Sequence, residues 1–434
     1  MGFKLRPGTS VFGNVTFTPG TNENYVAPPI HQGPSIPQAS YFLVGAPMND
    51  NGGDNSGQVY VYNSIQGDDN SPDLIINAPA GYRSFFGHEI AENSTHIAIA
   101  AYGENSIRGA VYLYDKSDLT ATPQRIQPSG LQQYDFFSVY ALSMNETHLA
   151  VGNFGDDARG SGAGSGFIYN LDTMQYTELF PPTGSNTQFG FNCVLSDTHV
   201  VFTSAGNGSS SHHRSAFAWE LSSSNSYSST PDIEFRPSYY STINGHTPSL
   251  TGGQGTIAIS GNKLFIGDLG YDAPPEPTGH VNTDAGAVYM FDMDNPTADP
   301  VVFDHGASPR DTESGIMTRQ LGWTVRVHDN KVYAGAPQGG ANNTGLVYIW
   351  DIDNPSSPTK LEPTVGPGGM KFGSRISVAG GSLLVGAPDY SSASGQTGAA
   401  YLFDLNDLSQ QEHLITYSGS GGEDRMGRDV LAVL

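Results

Sequence analysis

The chain has 434 residues with 19 basic and 42 acidic side chains, a formal net charge of −23. A surface so acidic repels phosphate, which argues against nucleic acid and anionic membranes as partners, and no window approaches the ~18 consecutive apolar residues of a membrane-spanning helix, so no membrane insertion is expected. Its 54 glycines and 28 prolines suit many short strands joined by turns, while 22 tyrosines and 21 phenylalanines exclude a disordered chain.

Residues 1–38 read as an extended arm, rich in proline, glycine and asparagine (Ala27-Pro28-Pro29, Gly33-Pro34). The opening MGFKLRPGTS has two basic residues but no apolar run behind them, so no secretory signal is expected. Phe3, Leu5, Val11, Phe12, Val15 and Phe17 make this segment more apolar than a plain linker needs, and mark it as a candidate docking arm.

From residue 39 onward one unit recurs. The first copy has Phe42-Leu43-Val44-Gly45-Ala46-Pro47, a loop rich in Gly and Asn, Val59-Tyr60-Val61-Tyr62, and a weaker strand at Asp73-Leu74-Ile75-Ile76. The second opens with Phe86-Gly87 and continues through Ile97-Ala98-Ile99-Ala100-Ala101 to Val111-Tyr112-Leu113-Tyr114. The third and fourth follow at Phe136-Phe137 and Phe189-Gly190, and the fifth at Ile257-Ala258-Ile259. Leu321-Gly322-Trp323 opens the sixth, and Phe372-Gly373 the seventh, which carries Leu383-Leu384-Val385-Gly386-Ala387-Pro388. With the Gly45 position as a marker, copies fall at 45, 100, 152, 203, 267, 335 and 386, spaced by 51 to 68 residues.

Four short strands per repeat of this length describe a propeller blade. The expected fold is therefore an all-β, seven-bladed β-propeller over residues 39–434, with the arm outside it. The first copy lacks its Phe-Gly strand. Met426-Gly427-Arg428-Asp429-Val430-Leu431-Ala432 aligns with Phe372 through Val378 and supplies it, so Met426, Gly427, Val430 and Ala432 are expected to close the ring. Phe12-Gly13 also starts in this way, but its apolar spacing fits the template less well.

The Phe-Gly strand followed by Val-Gly-Ala-Pro resembles the FG-GAP repeats of integrin α-subunit propellers and of many bacterial and phage proteins, over nearly all of residues 40–434. That family often binds calcium in an Asp-rich loop between the first two strands. Here the connection is short, as in Ala91-Glu92-Asn93-Ser94 and Ser143-Met144-Asn145-Glu146, and cannot supply the roughly six oxygens calcium takes. The family's metal sites are therefore not carried over. The connectors Asp115–Pro123, Asp351–Pro355 and Asp404–Leu408 resemble those of FG-GAP-like structural proteins of tailed phages, particularly phages of marine bacteria. The resemblance implies a virion component, with other virion or surface proteins as partners.

Candidate chemistry is sparse. Asp50, Asn51 and Asp54 cluster oxygens that could take Ca²⁺, and Gly155-Asp156-Asp157 does so to a lesser degree; turn geometry explains both without an ion. His212-His213 lies in a serine-rich loop with no third ligand in view. Cys193 is the only cysteine, and its place in an expected inner strand suits a small buried side chain rather than a nucleophile. No nucleophile elbow, zinc-binding helix or phosphate loop occurs. Tyr102, Phe154 and Tyr271 sit at strand ends, where they either pack the rim or stack on sugars. The expected function is a non-enzymatic structural or binding module of a virion. An adhesin or lectin-like propeller binding host-surface glycan comes second, and a polysaccharide-cleaving enzyme a distant third.

Overall fold

Each repeat carries short apolar segments whose backbone groups can be satisfied only by pairing with one another. The computed structural model describes residues 41–63, 71–182, 186–206, 214–241, 249–250, 257–272, 285–305, 310–311, 316–317, 320–392, 395–409, 412–416 and 424–433. Within them the chain is an all-β, seven-bladed propeller, each blade a four-stranded antiparallel sheet. Blade one joins Tyr41–Ala46, Gln58–Tyr62 and Leu74–Asn77 to the C-terminal strand Val430–Val433. Blades two to four begin at their inner strands, Phe86–Glu92, Leu142–Met144 and Phe189–Leu195. Blades five to seven begin at Ile257–Ser260, Thr324–His328 and Arg375–Ala379. The inner strands neighbour one another in succession around the axis, with the C-terminal strand between those of blades seven and two.

Second and third strands are buried almost throughout, as in Phe42, Leu43 and Val44 paired with Tyr62, Val61 and Tyr60, and so they read as continuous apolar runs. Outer strands have one edge in solvent, which is why Gln124–Ile126 and its counterparts carry a weaker apolar signal. No helix among the described residues is long and apolar enough to cross a membrane.

The two glycines of the repeat are one contact seen from both sides. Gly87 has φ 89°, a left-handed conformation that a side chain strains. A β-carbon on Gly45 of blade one would lie 2.1 Å from the Gly87 carbonyl oxygen of blade two. The same approach recurs between Gly152 and Gly190, Gly335 and Gly373, and Gly386 and Gly427. At the junction of blades two and three, Ala100 and Ser138 (φ 72°) replace the pair, and there the inner strand starts late, at Leu142. The phenylalanine of the motif bridges blades as well. Phe86 N–H donates to Ser56 O of blade one at 3.1 Å, and Phe372 N–H to Thr344 O of blade six at 2.8 Å.

The C-terminal segment repeats these bonds. Met426 N–H donates to Thr397 O at 3.0 Å and Gly427 N–H to Gly45 O at 2.9 Å, while Val430 pairs with Val44 and Ala432 with Phe42. Met426, Val430 and Ala432 are at most 2% exposed and pack with Phe42, Leu384 and Leu402 of the flanking blades. The ring is closed as expected, and blade one has no open inner edge.

At the other end of the inner strands, Asn93-Ser94-Thr95-His96 and Asn145-Glu146-Thr147-His148 turn the hairpins. Asn93 Oδ1 accepts from the N–H groups of Thr95 and His96 at 3.0 and 2.7 Å, and its Nδ2 donates to Asn145 O in blade three at 3.1 Å. Asn145 Nδ2 in turn donates to Ser196 O in blade four at 2.7 Å. These short turns staple neighbouring blades together.

Candidate ligand-binding end of the axis

The residues just after the repeat's phenylalanine and glycine are carried by the inner strands, so several blades bring them to the axis together. Glu89 of blade two and Arg375 of blade seven form an ion pair there, and Arg375 Nε lies 3.4 Å from Asp429 Oδ1 of blade one. Asp429 Oδ2 accepts from Ile90 N–H at 2.5 Å, and Oδ1 from Val430 N–H at 3.0 Å. Arg375, Glu89 and Asp429 are 1%, 7% and 2% exposed. Burial pushes the Glu89 carboxyl up to about 7 against the opposing pull of Arg375, and burial raises Asp429 too. Arg326 of blade six is held below its usual range by burial, with Asp429 opposing.

Nearer the strand starts, Arg428 donates to His88 Nε2 from Nη2 at 3.1 Å and from Nε at 3.3 Å. Burial, then the charges of Arg428 and Arg375, hold His88 well below its usual range, so the ring is neutral and accepts. Arg428 is itself lowered to about 10, by burial and then by Arg375. Arg425 acts electrostatically on both His88 and Tyr102, and its Nε is buried without a hydrogen-bond partner. Among the described residues neither Arg425 nor Arg428 forms an ion pair with a carboxylate, and Glu89 acts on Arg428 only at longer range. In a chain of net charge −23 this end of the axis is locally basic.

Half-buried rings run beside these arginines. Phe85 stacks on Tyr102 at 4.8 Å, Tyr102 meets His88 edge-on at 4.7 Å, and His88 lies 5.9 Å from Tyr140. Tyr140 stacks on Phe154 at 5.8 Å, Phe154 on Phe136 at 5.0 Å, and Phe191 closes against Phe154 at 5.5 Å. The band spans blades two to four because Tyr102 and Phe154 follow second strands while Phe85 and Phe136 precede inner ones, at the same end of antiparallel neighbours.

Tyr102 and Phe154, singled out as strand-end aromatics, thus meet in one band. Tyr271 does not join them; it is 1% exposed and its hydroxyl lies 3.1 Å from Asp304 Oδ2. Asp50, Asn51 and Asp54 share one loop, and its oxygens serve the loop itself. Asn51 N–H donates to Asn49 Oδ1 at 2.9 Å, Asn55 N–H to Asp50 Oδ1 at 2.7 Å, and Arg83 Nε lies 2.8 Å from Asp54 Oδ2. Among the described residues no group of three or more His, Cys, Asp or Glu side chains is arranged to hold a metal ion. Cys193 is buried, and burial followed by Glu89 raises its thiol well above the usual range. His212, His213 and the candidate docking arm Phe3, Leu5, Val11, Phe12, Val15 and Phe17 lie outside the described residues.

Arg425, Arg428, His88, Tyr140, Phe136 and Phe191 do not stand out as site residues in the sequence, although Phe136 and Arg428 have their places in the repeat. Aligning the repeats on their phenylalanine would have found them, since each sits within three positions of it.

No family model and no curated protein sequence matches the chain. Among solved structures, it is similar to the β-propeller domain of the Trilobed protease from Pyrococcus furiosus, at 11% identity and a TM-score of 0.48, covering 88% of this chain and 97% of that one. It is also similar to a prolyl endopeptidase, at 11% identity and a TM-score of 0.45, covering 88% of this chain and 50% of that one. Likeness at this level says nothing of ligand or activity.

Proposed function

We propose that the chain is a non-enzymatic binding module that holds an acidic saccharide at the aromatic end of its axis. The carboxylate would lie against Arg425 and Arg428 and the sugar ring against Tyr102 and Tyr140. The observation that carries this reading is the pair of guanidiniums, neither in an ion pair with a carboxylate among the described residues, beside a band of half-buried rings. A guanidinium offers paired donors to a carboxylate, and an aromatic face covers the apolar face of a sugar. The overall charge of −23 acts weakly beyond a screening length of ~8 Å, so the local arginines decide for a single acid group.

The repeat resemblance suggests a virion as the setting, with the arm as anchor and other virion or surface proteins as neighbours. A cell-surface adhesin is the second setting and would use the same face. One observation favours polysaccharide cleavage: Glu89 and Asp429 are paired carboxylates with raised proton affinity. Arg375 and the Ile90 amide already engage them, which supports a structural role instead.

A panel of neutral and carboxylated oligosaccharides presented to the full chain tests the function. Binding confined to acidic members supports it; binding to none, or to both alike, rejects it. For the setting, co-sedimentation of the chain with particles at a fixed ratio to a major shell protein supports the virion, and recovery only as free protein rejects it.

A further inference from the structure

Blades two and three place different charges at equivalent positions. Four residues after the marker position, blade two has Glu104 and blade three Asp156; across the sheet, Tyr112 pairs with Arg125 and Phe167 with Glu178. In blade two the set is balanced. Glu104 Oε1 accepts from Arg125 Nε at 2.7 Å and Oε2 from the Tyr112 hydroxyl at 2.6 Å. Blade three has glutamate in place of the arginine and phenylalanine in place of the tyrosine, so both donors are gone.

What remains includes two buried oxygens without donors. Asp156 is 7% exposed and Asn153 1%, and Asp156 Oδ2 and Asn153 Oδ1 are buried with no hydrogen-bond partner. Glu178 lies within hydrogen-bonding reach of Asp156 and of Ser165, and Asn153 Nδ2 donates to Ser165 Oγ at 3.2 Å, which ties the four side chains together. Asp156 Oδ1 accepts from Ala158 N–H at 2.8 Å, leaving Oδ2 for the shared space. The nearby Arg159 stacks 4.4 Å over Phe180; its charge acts on Glu178 at longer range, but it forms no ion pair with either acid.

Buried acceptors facing one another cost free energy unless a proton or a cation lies between them. We propose that Asp156, Glu178 and Asn153 of blade three bind a hard divalent cation, Ca²⁺ by the preference of these carboxylate and amide oxygens, with water completing the shell. The ion does in blade three what the Arg125 guanidinium does in blade two. This site is separate from the loop of Asp50, Asn51 and Asp54 and does not depend on what binds at the axis.

Thermal melting and isothermal titration of the metal-stripped full chain with CaCl₂ at pH 7.5 test the proposal, alongside Glu178→Arg, which copies blade two, and Asp156→Asn. The expected result is one-site binding heat and a saturable rise in Tm for the unaltered chain. In E178R both effects vanish while the metal-free Tm matches or exceeds that of the unaltered chain. D156N, if it folds, binds at least tenfold more weakly. No Ca²⁺ response in the unaltered chain, with the two acids simply sharing a proton, overturns the proposal. So does a full response surviving in E178R, which would place the ion elsewhere.

Discussion

Arg375 of blade seven and Glu89 of blade two form a buried ion pair across the segment that closes the ring, and Asp429 of that segment lies 3.4 Å from the same guanidinium. One side chain thus ties three blades at the point where the circle is completed. Removing it leaves two carboxylates buried without their cation. Arg375→Met is expected to cost about 3–5 kcal/mol at pH 8, and less at pH 5, where Glu89 can take up a proton. Urea unfolding midpoints at the two pH values check this.

The pH dependence has a definite sign. The Glu89 carboxyl is raised in the folded chain from 4.5 to about 7, with burial as the leading cause. Its contribution is fully present below pH 4.5 and is lost as pH rises through about 7, because the unfolded chain releases the proton first. For one group the slope is at most about 1.4 kcal/mol per pH unit. The stability difference between the unaltered chain and Glu89→Gln, followed from pH 4 to 8, should therefore move against the unaltered chain as pH rises. A flat difference would show that Glu89 ionises normally.

Closure depends on the last strand. Deleting residues 426–434 removes the inner strand of blade one and exposes the edge Tyr41–Ala46, whose partners include Val430 and Ala432. The truncated chain should lose its cooperative melt and self-associate. Size-exclusion chromatography and hydrogen exchange over residues 41–46 report both effects.

The glycine contact makes a sharper claim. Gly45→Ala places a β-carbon 2.1 Å from the Gly87 carbonyl oxygen. It should cost about 1–3 kcal/mol through displacement of one blade from the next. At Gly130 a β-carbon meets nothing within 4 Å, so Gly130→Ala should cost only the backbone strain of its positive φ, about 1 kcal/mol. Equal losses at the two positions would contradict the interblade explanation.

The blades were legible because the forces that build them are local and repeated. Gly45 and Gly87 stand in the sequence for a backbone contact that recurs at most blade junctions, and Met426-Gly427 could be matched to Phe372-Gly373 without coordinates. The axis was not legible. His88, Tyr140, Arg375 and Arg428 lie hundreds of residues apart or in different repeats, and each alone looks like an ordinary strand residue. Only the closed circle brings Arg375 to Glu89. Turn chemistry at Asp50 and Asp54 gave a stronger local signal than Asp156, yet Asp156 Oδ2 and Asn153 Oδ1 are buried without donors in blade three, where the decisive change is the glutamate at 178 opposite Phe167.

The most direct test of the binding account is calorimetric titration of a uronate-bearing oligosaccharide into the full chain, into Arg425→Gln and into the Arg425→Gln, Arg428→Gln pair. A charge-assisted hydrogen bond is worth roughly 1.5–3 kcal/mol. The expected result is measurable affinity in the unaltered chain, about tenfold or greater loss in R425Q, and loss beyond detection in the pair with the melting curve of R425Q unchanged. Binding of equal strength in the unaltered chain and in both variants would contradict the assignment of this end of the axis as the ligand site.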